Sequence, residues 1–482
     1  MPVTGNRLRP WVAVAVALGA ALTLTSPAAR ADEPAPAPPT YWTKDATVVT
    51  ITAGVTRTTW HEKVLADGTS PQNRVKPRLL QIVEIDPTAG ALTLESTIGT
   101  NGGSAEKVID QLTQVSTTPA RRPYAGVNGG LFQLEPAGAG AAETVAHSSV
   151  SATDGVLHSS SCWNGGNGST GAVIQYGTPY ITKLLTELKL FGPSGEDIRI
   201  DDFNRTPGRP PHCARDDRDK LVSTKPNVYT DADEIVVFTD DYGLPVPKPG
   251  TDPNIPATAD PGFEVVVDAH GVVTKVREGR GGTTVPAGGR IIQGIGIGAQ
   301  WLRDRLAVDD RVTIDQKLRD VTLARYIPLD DSVDVVSSFH QLLHDGSIPK
   351  ELPNTCSEPR TGTNGTPICI DSRTALGTNV YGRTVLATLT GETDPTGLYA
   401  ETNEDGAYLR DFAGILDDPA LDLRIIDAIN LDGGGSTTLV TRPPTGAVVN
   451  TPPTDRVSGA YVHRKVADSV YAGVGGYGMY AK

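Results

Sequence analysis

The stretch Ala428-Ile429-Asn430-Leu431-Asp432-Gly433-Gly434-Gly435-Ser436-Thr437-Thr438 places one carboxylate, three glycines and three hydroxyls at the end of an apolar run. That run, Leu423 to Ile429, predicts a β-strand. Three consecutive glycines permit φ > 0 and leave no Cβ between backbone N–H groups and a ligand. The neighbouring hydroxyls supply donors that can turn toward an anion. We therefore predict a loop that holds an anionic group beside Asp432.

Two other interpretations of this loop compete with an anion site. Glycine and aspartate are also the ordinary residues of a tight turn between two strands. The phosphate loop of actin-like ATPases and exopolyphosphatases carries a similar Asp-x-Gly-Gly-Gly-Ser/Thr pattern. A P-loop is excluded, because no Gly-Lys-Ser/Thr follows the glycines.

The N-terminus predicts export. Arg7 and Arg9 precede an apolar run from Trp11 to Leu24, and Ala29-Arg30-Ala31 forms a cleavage site, so residues 1–31 are predicted to be a signal peptide. The apolar run is shorter than the about 20 residues that a membrane span needs. Because the two arginines are not adjacent, we expect a Sec-type signal. We expect a secreted, extracellular protein without a stable membrane anchor, which weakens the ATPase interpretation because ATP is scarce outside cells.

Four cysteines predict two disulfides in an oxidising compartment. Three pairings are open, and we favour Cys162–Cys213 and Cys356–Cys369. The second bridge would close a short loop rich in Gly, Thr and Pro and stabilise it by about 3 kcal/mol. A zinc site is the alternative, but no C-x-x-C pair supports it.

The overall charge argues against a nucleic-acid partner. The formal net charge is −13, whereas a protein that binds nucleic acid needs a basic face. Any anionic substrate must therefore meet a local positive site, and we expect arginines near the glycine loop.

Irregularly interleaved strands and helices predict a loop-rich α+β fold with a mixed β-sheet core. We predict a Pro-rich linker at 32–45 and a domain at 46–482 with a β-rich insertion at about 160–323. Helices are predicted at Ser104–Val115, with Ser104 as N-cap, at Ala299–Leu306 and at Asp405–Leu416. Predicted strands are Ala46–Ala53, Leu79–Asp86, Ala91–Glu95, Glu234–Thr239, Phe263–Val267, Ile291–Ile297, Val333–Ser337, Thr384–Leu389 and Leu423–Ile429.

Four elements, in order, resemble motifs of the phosphodiester glycosidase family, which includes the phosphodiester α-N-acetylglucosaminidases that uncover mannose 6-phosphate. The resemblance extends from about Leu79 to Tyr480, and residues 202–205 with 238–243 are similar to an insertion of longer bacterial members. The four elements are Val127-Asn128-Gly129-Gly130-Leu131-Phe132, Asp371-Ser372-Arg373-Thr374-Ala375-Leu376-Gly377, Asn430-Leu431-Asp432-Gly433-Gly434-Gly435-Ser436-Thr437 and Val448-Val449-Asn450-Thr451-Pro452.

Two other elements depart from the family pattern. The family's Val-Asp-Gly-Arg falls on Leu389-Thr390-Gly391-Glu392, which lacks both the acid and the arginine. Glu392 is the candidate replacement for the lost carboxylate. The family's Gly-Gly-Pro, before a Leu-Leu-x-Asp-Gly strand, appears as Ser337-Ser338-Phe339-His340.

The resemblance implies hydrolysis of a sugar-1-phosphodiester in an extracellular or cell-wall glycan, which frees the sugar and leaves a phosphomonoester. A phosphomonoester is a good leaving group, so one carboxylate suffices where an ordinary glycosidase needs two. We predict that Asp432 is this catalytic carboxylate, as nucleophile or as base toward water. Arg373 is the predicted catalytic phosphate clamp, because its planar fork binds phosphate bidentately. A surface ion pair is the alternative for Arg373.

Further residues are expected to bind substrate. The N–H groups of the three glycines and the hydroxyls of Ser436 and Thr437 would cradle the phosphate or orient sugar hydroxyls. The remaining candidates are Asn128, Gly129, Asn450, Glu392 and Arg205, the last reaching in from the insertion. For Asn128 an αL turn residue is the alternative. The rival function is a non-catalytic glycan-binding or envelope-assembly protein on the same scaffold.

We expect no cofactor and no catalytic metal. His340 and His344 have i, i+4 spacing but lack the glutamate of H-E-x-x-H, and the segment resembles a strand entering a turn. A structural Ca²⁺ remains possible, but the loop acids lack EF-hand spacing. These acids are Asp240, Asp241, Asp330, Asp331 and Asp334.

Overall fold

Strands, rather than helices, make up most of the regular structure. The computed structural model describes residues 41–63, 77–90, 92–117, 121–135, 143–225, 227–250, 252, 254–357, 359–361, 367–392, 406–450, 455–458 and 460–474, all within one unit that begins at Pro38. These residues contain three α-helices of eight to ten residues, which are Val108–Thr117, Gly296–Arg305 and Leu409–Leu416. The predicted α+β class is therefore wrong, and the fold is β-rich.

Sheet I is antiparallel and contains the strand that leads into the glycine loop. Its central strand, Thr384–Gly391, is buried along its whole length. This burial suits its many β-branched and aliphatic side chains. In spatial order the strands are Trp42–Lys44, Val55–Glu62, Arg78–Ile85, Thr384–Gly391, Arg373–Asn379, Ile425–Asn430 and Gln341–Leu343, with Val49–Thr52 also paired to Val55–Glu62.

Sheet II is also antiparallel and holds the longest strand, Thr178–Phe191. Its order is Val156–Ser159, Ser151–Thr153, Val333–Ser337, Ser169–Gln175, Thr178–Phe191, Thr313–Asp320 and Arg325–Ile327, with Asp197–Arg199 also paired to Thr178–Phe191.

Two five-stranded sheets complete the framework. Sheet III lies within the range predicted as an insertion, and sheet IV receives the chain after the glycine loop. Sheet III has the order Asp202–Phe203, Ile235–Thr239, Arg290–Gly294, Phe263–Val267 and Val273–Glu278, with its first pair parallel. Sheet IV has the order Ala447–Val448, Leu439–Thr441, Arg122–Asn128, Ser469–Val474 and Leu92–Thr97.

Short elements connect these sheets. The two-residue and three-residue ladders are Phe132–Leu134 with Val145–His147, Lys220–Leu221 with Tyr229–Thr230, Pro359–Thr361 with Pro367–Cys369, and Arg456–Val457 with Ala460–Tyr461. The 3₁₀ turns are Asn164–Gly166, Asp240–Tyr242, Pro256–Ala259 and Gly434–Ser436.

Sheets I, II and IV share one hydrophobic core, and the candidate site lies where two of them meet. Val83 and Ile429 of sheet I pack in the same cluster as Val127 of sheet IV and Val336 of sheet II. Burial of such side chains stabilises the fold by about 1.5–3 kcal/mol each. The strands on either side of the glycine loop are therefore held rigidly.

Most strand predictions are confirmed, and the bounds of the helices are corrected. Phe263–Val267 and Val333–Ser337 have the predicted bounds. The first helix begins at Val108, because Ser104 pairs with Thr144 in an isolated bridge and so cannot be its N-cap. The helix predicted at Ala299–Leu306 is Gly296–Arg305, and the one predicted at Asp405–Leu416 begins at Leu409 within the described residues. The predicted signal peptide and linker, residues 1–31 and 32–45, lie outside the described residues apart from 41–45.

Both predicted disulfides are confirmed: Cys162 is bonded to Cys213 and Cys356 to Cys369. Within the described part of the chain, no helix is long and apolar enough to cross a membrane.

Candidate active site

The glycine loop crosses from sheet I to sheet IV. Strand Ile425–Asn430 ends just before it, and strand Leu439–Thr441 follows it. Backbone hydrogen bonds hold the loop between two of the other predicted motifs: Asp432 N–H donates to Gly129 O at 3.0 Å, and Gly434 N–H donates to Ser372 O at 2.8 Å. The structure thus brings together the elements around residues 128, 373 and 432, which are far apart in sequence.

Asp432 borders a cavity of about 550 Å³. Burial raises the pKa of its carboxyl to about 6, against the opposing effects of the Ser436 hydroxyl, the Arg464 charge, the Gly433 N–H and the Arg373 charge. Gly433 N–H donates to Asp432 Oδ1 at 2.9 Å. A carboxyl with this pKa is ionised at neutral pH and is a stronger base than an ordinary aspartate.

Arg373 is a cavity residue, not part of a surface ion pair. It is 7% exposed, and its Nε donates to Ala407 O at 2.7 Å while Nη2 lies 3.4 Å from Asp371 Oδ2. Its Nη1 faces Gly433, because a Cβ on Gly433 would lie 3.7 Å from Arg373 Nη1. Burial lowers the pKa of Arg373, opposed by the charges of Asp371 and Asp432. The guanidinium stays charged, because its ordinary pKa is so high.

Arg464 is a second arginine at the site, and no sequence motif identified it. Its Nε and Nη2 donate to the Asp455 carboxylate at 2.9 and 2.6 Å, and it is partly exposed. It lines both the Asp432 cavity and a neighbouring cavity of about 1100 Å³, whose other basic residues include Lys107 and Lys465. The expectation of arginines near the glycine loop is confirmed.

Asp468 is a buried acid close to Asp432 that sequence reasoning missed. It is 2% exposed, its Oδ1 accepts Gly130 N–H at 2.9 Å, and Gly129 N–H donates to its backbone O at 2.9 Å. Burial, and to a smaller extent the Asp432 charge, raises the pKa of Asp468 to about 7, against the opposing effect of the Gly130 N–H. His147 lies 3.7 Å from its Oδ2. The available signal was Gly129, where a Cβ would occupy the place of this carboxyl.

His212 also lines both cavities. Its Nδ1 lies 2.6 Å from Ser148 Oγ, and the adjacent Cys213 is held by its disulfide. Burial and the charges of Arg215 and Arg209 lower the pKa of His212 to about 4. Its imidazole is therefore neutral at pH 7 and can donate or accept one hydrogen bond toward a ligand.

The glycine loop does not present the predicted cradle of three amides. Gly433 N–H is bound to Asp432 and Gly434 N–H to Ser372. Of these three glycines, only Gly435 has an N–H without a hydrogen bond to a described residue. Ser436 and Thr437 are fully buried, and neither lines the Asp432 cavity.

Asn128 and Asn450 hold the loop. Asn128 Nδ2 donates to Asp432 O at 2.7 Å, and its Oδ1 accepts Thr438 N–H at 3.2 Å. Asn450 Oδ1 accepts Leu439 N–H at 2.6 Å, and its Nδ2 donates to Thr437 O at 2.8 Å. Neither lines the Asp432 cavity, so these contacts position the loop, and their role in binding sugar stays a prediction.

Three other predicted binding residues lie outside the cavity lining. Gly129 is buried against Asp468. Arg205 is fully buried and paired with Asp202 at 2.7 Å and with Glu234, so it cannot reach in from the insertion. Glu392 Oε1 lies 2.7 Å from His61 Nδ1 and is absent from the wall of the cavity.

The two family departures therefore differ in their effect on the site. Neither Thr390 nor Glu392 lines the cavity, whereas Ser338, Phe339 and His340 all do. The departure with structural consequences here is the replacement of Gly-Gly-Pro by larger side chains.

The acid and histidine groups of the described residues do not form a metal centre beside Asp432. Cys356, Cys369 and Asp371 lie close together at the cavity, but both thiols are consumed in the disulfide. His340 and His344 flank strand Gln341–Leu343, as predicted, and His344 Nδ1 lies 3.1 Å from Asp427 Oδ1.

Comparisons with known proteins agree with the predicted resemblance. Residues 261–472, which contain Arg373, Asp432, Arg464 and Asp468, match the model of the phosphodiester glycosidase family, so the resemblance is confirmed for this part of the chain. No curated protein sequence matches the chain.

Three solved structures are similar to this chain. A Burkholderia pseudomallei protein assigned as exported is 17% identical with a TM-score of 0.69, covering 92% of this chain and 98% of that one. A hypothetical protein from Synechocystis is 17% identical with a TM-score of 0.55, covering 89% and 63%. The catalytic domain of zebrafish N-acetylglucosamine-1-phosphodiester α-N-acetylglucosaminidase, auto-inhibited by its pro-peptide, is 14% identical over 89% and 87%, with a TM-score of 0.35. The first two share the fold of this chain.

Proposed function

We propose that this chain, whose residues 261–472 match the phosphodiester glycosidase family, is an exported hydrolase that cleaves a sugar-1-phosphodiester in an extracellular or cell-wall glycan. The observation that carries the proposal is the Asp432 carboxyl, with a pKa of about 6, in a cavity that also holds the Arg373 and Arg464 guanidiniums. One carboxylate and two fixed cations suit a bond whose leaving group is a phosphate.

In the proposed reaction, water adds to the anomeric carbon C1 and the bond from C1 to the phosphate oxygen breaks. The phosphate leaves with the bonding electrons, so the products are a free sugar and a phosphomonoester. As the nucleophile, Asp432 would form a glycosyl ester at C1, which water then hydrolyses. As the base, it would take a proton from the attacking water and pass it to the departing phosphate. Both roles need its ionised form. Its raised pKa supports either role, because a stronger base transfers or shares its electrons more readily.

The two arginines would stabilise the phosphate as its negative charge develops. Arg373 offers Nη1 on the Gly433 side of the cavity, and Arg464 lies beside Gly435. Charge-assisted hydrogen bonds from guanidinium groups are about twice as strong as neutral ones. Removal of one such donor from an active site costs about 10²–10³ in kcat.

Asp468 is a positioning residue in this proposal. With 2% of its surface exposed it does not contact substrate. Its backbone and carboxyl instead hold Gly129 and Gly130, and Gly129 O accepts Asp432 N–H.

The two disulfides and the predicted signal peptide support export of the protein.

The test is the release of free sugar and phosphomonoester from a panel of UDP-sugars and sugar phosphodiesters by the secreted protein. We expect turnover by the wild type and a loss of about 10²–10⁴-fold in Asp432→Asn, the range ascribed to one acid–base group. Asp304→Asn is the matched control, because Asp304 is exposed on helix Gly296–Arg305.

Two results would contradict the proposal. Full activity of Asp432→Asn would exclude this carboxylate from the chemistry. Absence of release by the wild type, together with measurable glycan binding, would favour the non-catalytic glycan-binding protein.

A further inference from the structure

A separate cavity of about 530 Å³ adjoins the Asp432 cavity. Phe339 and His340 line both, so the two spaces meet at these residues. The volume lies in the range of about 300–1,000 Å³ that is typical of small-molecule sites. The family's motif around Asp432 does not account for this cavity, since most of its lining comes from residues 162–229.

Three aromatic side chains contribute to the lining. Trp163, Tyr229 and Phe339 each line this cavity and are neither buried nor fully exposed. Such rings offer a flat apolar face, and Trp and Tyr add one polar group at the edge. A pyranose ring has the complementary shape, with apolar C–H faces and hydroxyls around its rim. Polar side chains at the edge of the cavity include those of Asn164, Lys183, Gln341 and Glu351.

Covalent and hydrogen bonds fix this wall in place. The disulfide joins Cys162 to Cys213, two residues on opposite segments of the lining. Next to it, Trp163 N–H donates to Ala214 O at 2.9 Å, and Trp163 O accepts Gly166 N–H at 2.8 Å. The backbone that carries the indole is therefore preorganised, which lowers the entropy cost of binding a ligand.

The aromatic cavity of about 530 Å³ lacks the guanidiniums of the Asp432 cavity. Arg373 and Arg464 line the Asp432 cavity, whereas the aromatic cavity has one lysine and one glutamate, Lys183 and Glu351. The cavity of about 1100 Å³ is charge-balanced, because its three cations face three acids, which are Lys107, Arg464 and Lys465 against Glu143, Asp432 and Asp455. A phosphate is therefore better placed beside the two guanidiniums of the Asp432 cavity, and an uncharged sugar in the aromatic cavity.

We propose that the aromatic cavity is a subsite for a neutral sugar residue of a glycan chain. This proposal rests on the proposed function and specifies its substrate class: a glycan of two or more sugar residues joined through its terminal C1 to a phosphate. Cleavage of the C1–O bond with addition of water then yields an oligosaccharide with a free reducing end and a phosphomonoester. Binding energy from the remote sugar favours the transition state at Asp432, so a longer glycan reacts faster than a single sugar.

The experiment compares two synthetic substrates with the same phosphate leaving group, one carrying a single sugar and one carrying three. The secreted wild type, Trp163→Ala, Trp163→Phe and the control Tyr381→Ala are measured; Tyr381 is 65% exposed and lines none of the three cavities. We expect kcat/KM of Trp163→Ala to fall about threefold to tenfold for the three-sugar substrate only, as loss of one ring contact predicts. Trp163→Phe should recover most of that loss.

A binding measurement separates this inference from the proposed function. Neutral and N-acetylated oligosaccharides of two to four residues, without phosphate, are titrated into Asp432→Asn with and without Trp163→Ala. If the wild type hydrolyses nothing but oligosaccharides bind and Trp163→Ala abolishes the binding, the subsite stands and the proposed function fails. If hydrolysis occurs with equal kcat/KM for both substrates, or Trp163→Ala lowers both equally, the subsite is refuted and the proposed function stands. Absence of oligosaccharide binding also refutes the subsite.

Discussion

The three consecutive glycines of the loop, Gly433, Gly434 and Gly435, should respond differently to substitution by alanine. A Cβ on Gly433 would lie 2.6 Å from Ser372 O, a backbone atom of the neighbouring segment. Gly434 has φ of +56° and no atom within 4 Å of the position of a Cβ. A Cβ on Gly435 would clash with the Arg464 guanidinium and with Asp455 Oδ1, which form an ion pair between two partly exposed side chains.

These differences set the expected magnitudes. Gly433→Ala must displace backbone, so it should cost about 1–3 kcal/mol of unfolding free energy. It also shifts the adjacent Asp432, and a misplacement of about 1 Å costs about 10²-fold in turnover. Gly434→Ala is strained by about 1–2 kcal/mol through its left-handed backbone, but turnover should change little because nothing is displaced.

Gly435→Ala should separate activity from stability. The clash is relieved when the Arg464–Asp455 pair moves toward solvent. Because a partly exposed ion pair contributes about 0–1 kcal/mol, the unfolding free energy should change by less than about 1 kcal/mol. Loss of one charge-assisted hydrogen bond to the phosphate, about 1.5–3 kcal/mol, should lower kcat/KM by about tenfold to a hundredfold.

The assay is urea unfolding at pH 7 combined with steady-state release of free sugar, for the wild type and the three variants. We expect Gly433→Ala to lose both stability and turnover. Gly434→Ala should lose stability alone, and Gly435→Ala should lose mainly kcat/KM. Parallel losses of stability and activity in all three variants would refute these expectations, since that result describes an ordinary tight turn.

Two further predictions concern the groups that hold the loop. Because burial raises the folded-state pKa of Asp468 to about 7 from an ordinary 3.8, folding disfavours its charged form, and stability is lost as the pH rises from about 4 through 7. Asp468→Asn should therefore be more stable than the wild type at pH 8 and lose this advantage at pH 3, as measured by urea unfolding; a difference independent of pH would contradict this. Asn128→Ala leaves Thr438 N–H without its acceptor and should cost about 1–3 kcal/mol and lower turnover, whereas Tyr381→Ala, at an exposed site, should change neither.

Local features of the chain were predictable from the sequence. Strands such as Phe263–Val267 have a strong local signal, because β-branched side chains prefer extended backbone. Many other strands span only two or three residues, such as Asp202–Phe203, and form only where a neighbouring strand supplies hydrogen bonds. Since such short strands leave little local pattern, the sequence led to an α+β class with too much weight on helices.

The site residues were harder to predict, because their roles depend on distant partners. The side chains of Asn128 and Asn450 sit in motifs that suggested sugar binding, yet both bind the backbone of the glycine loop. Arg205 carries a charge that a buried acid pair neutralises. Arg464 and Asp468 sit in no recognised motif and join the site only because the chain returns to it after residue 455.

The sequence by itself determined the composition of the glycine loop and the candidacy of Asp432, because each depends on residue type and short-range spacing. It left three cysteine pairings open, and the structure decided among them. Only the tertiary structure decided which arginines face Asp432, which amides remain available and how far burial raises the pKa of its carboxyl. Each of these properties depends on charges, dipoles and burial contributed by strands of two sheets. No single stretch of the chain contains all of these contributions.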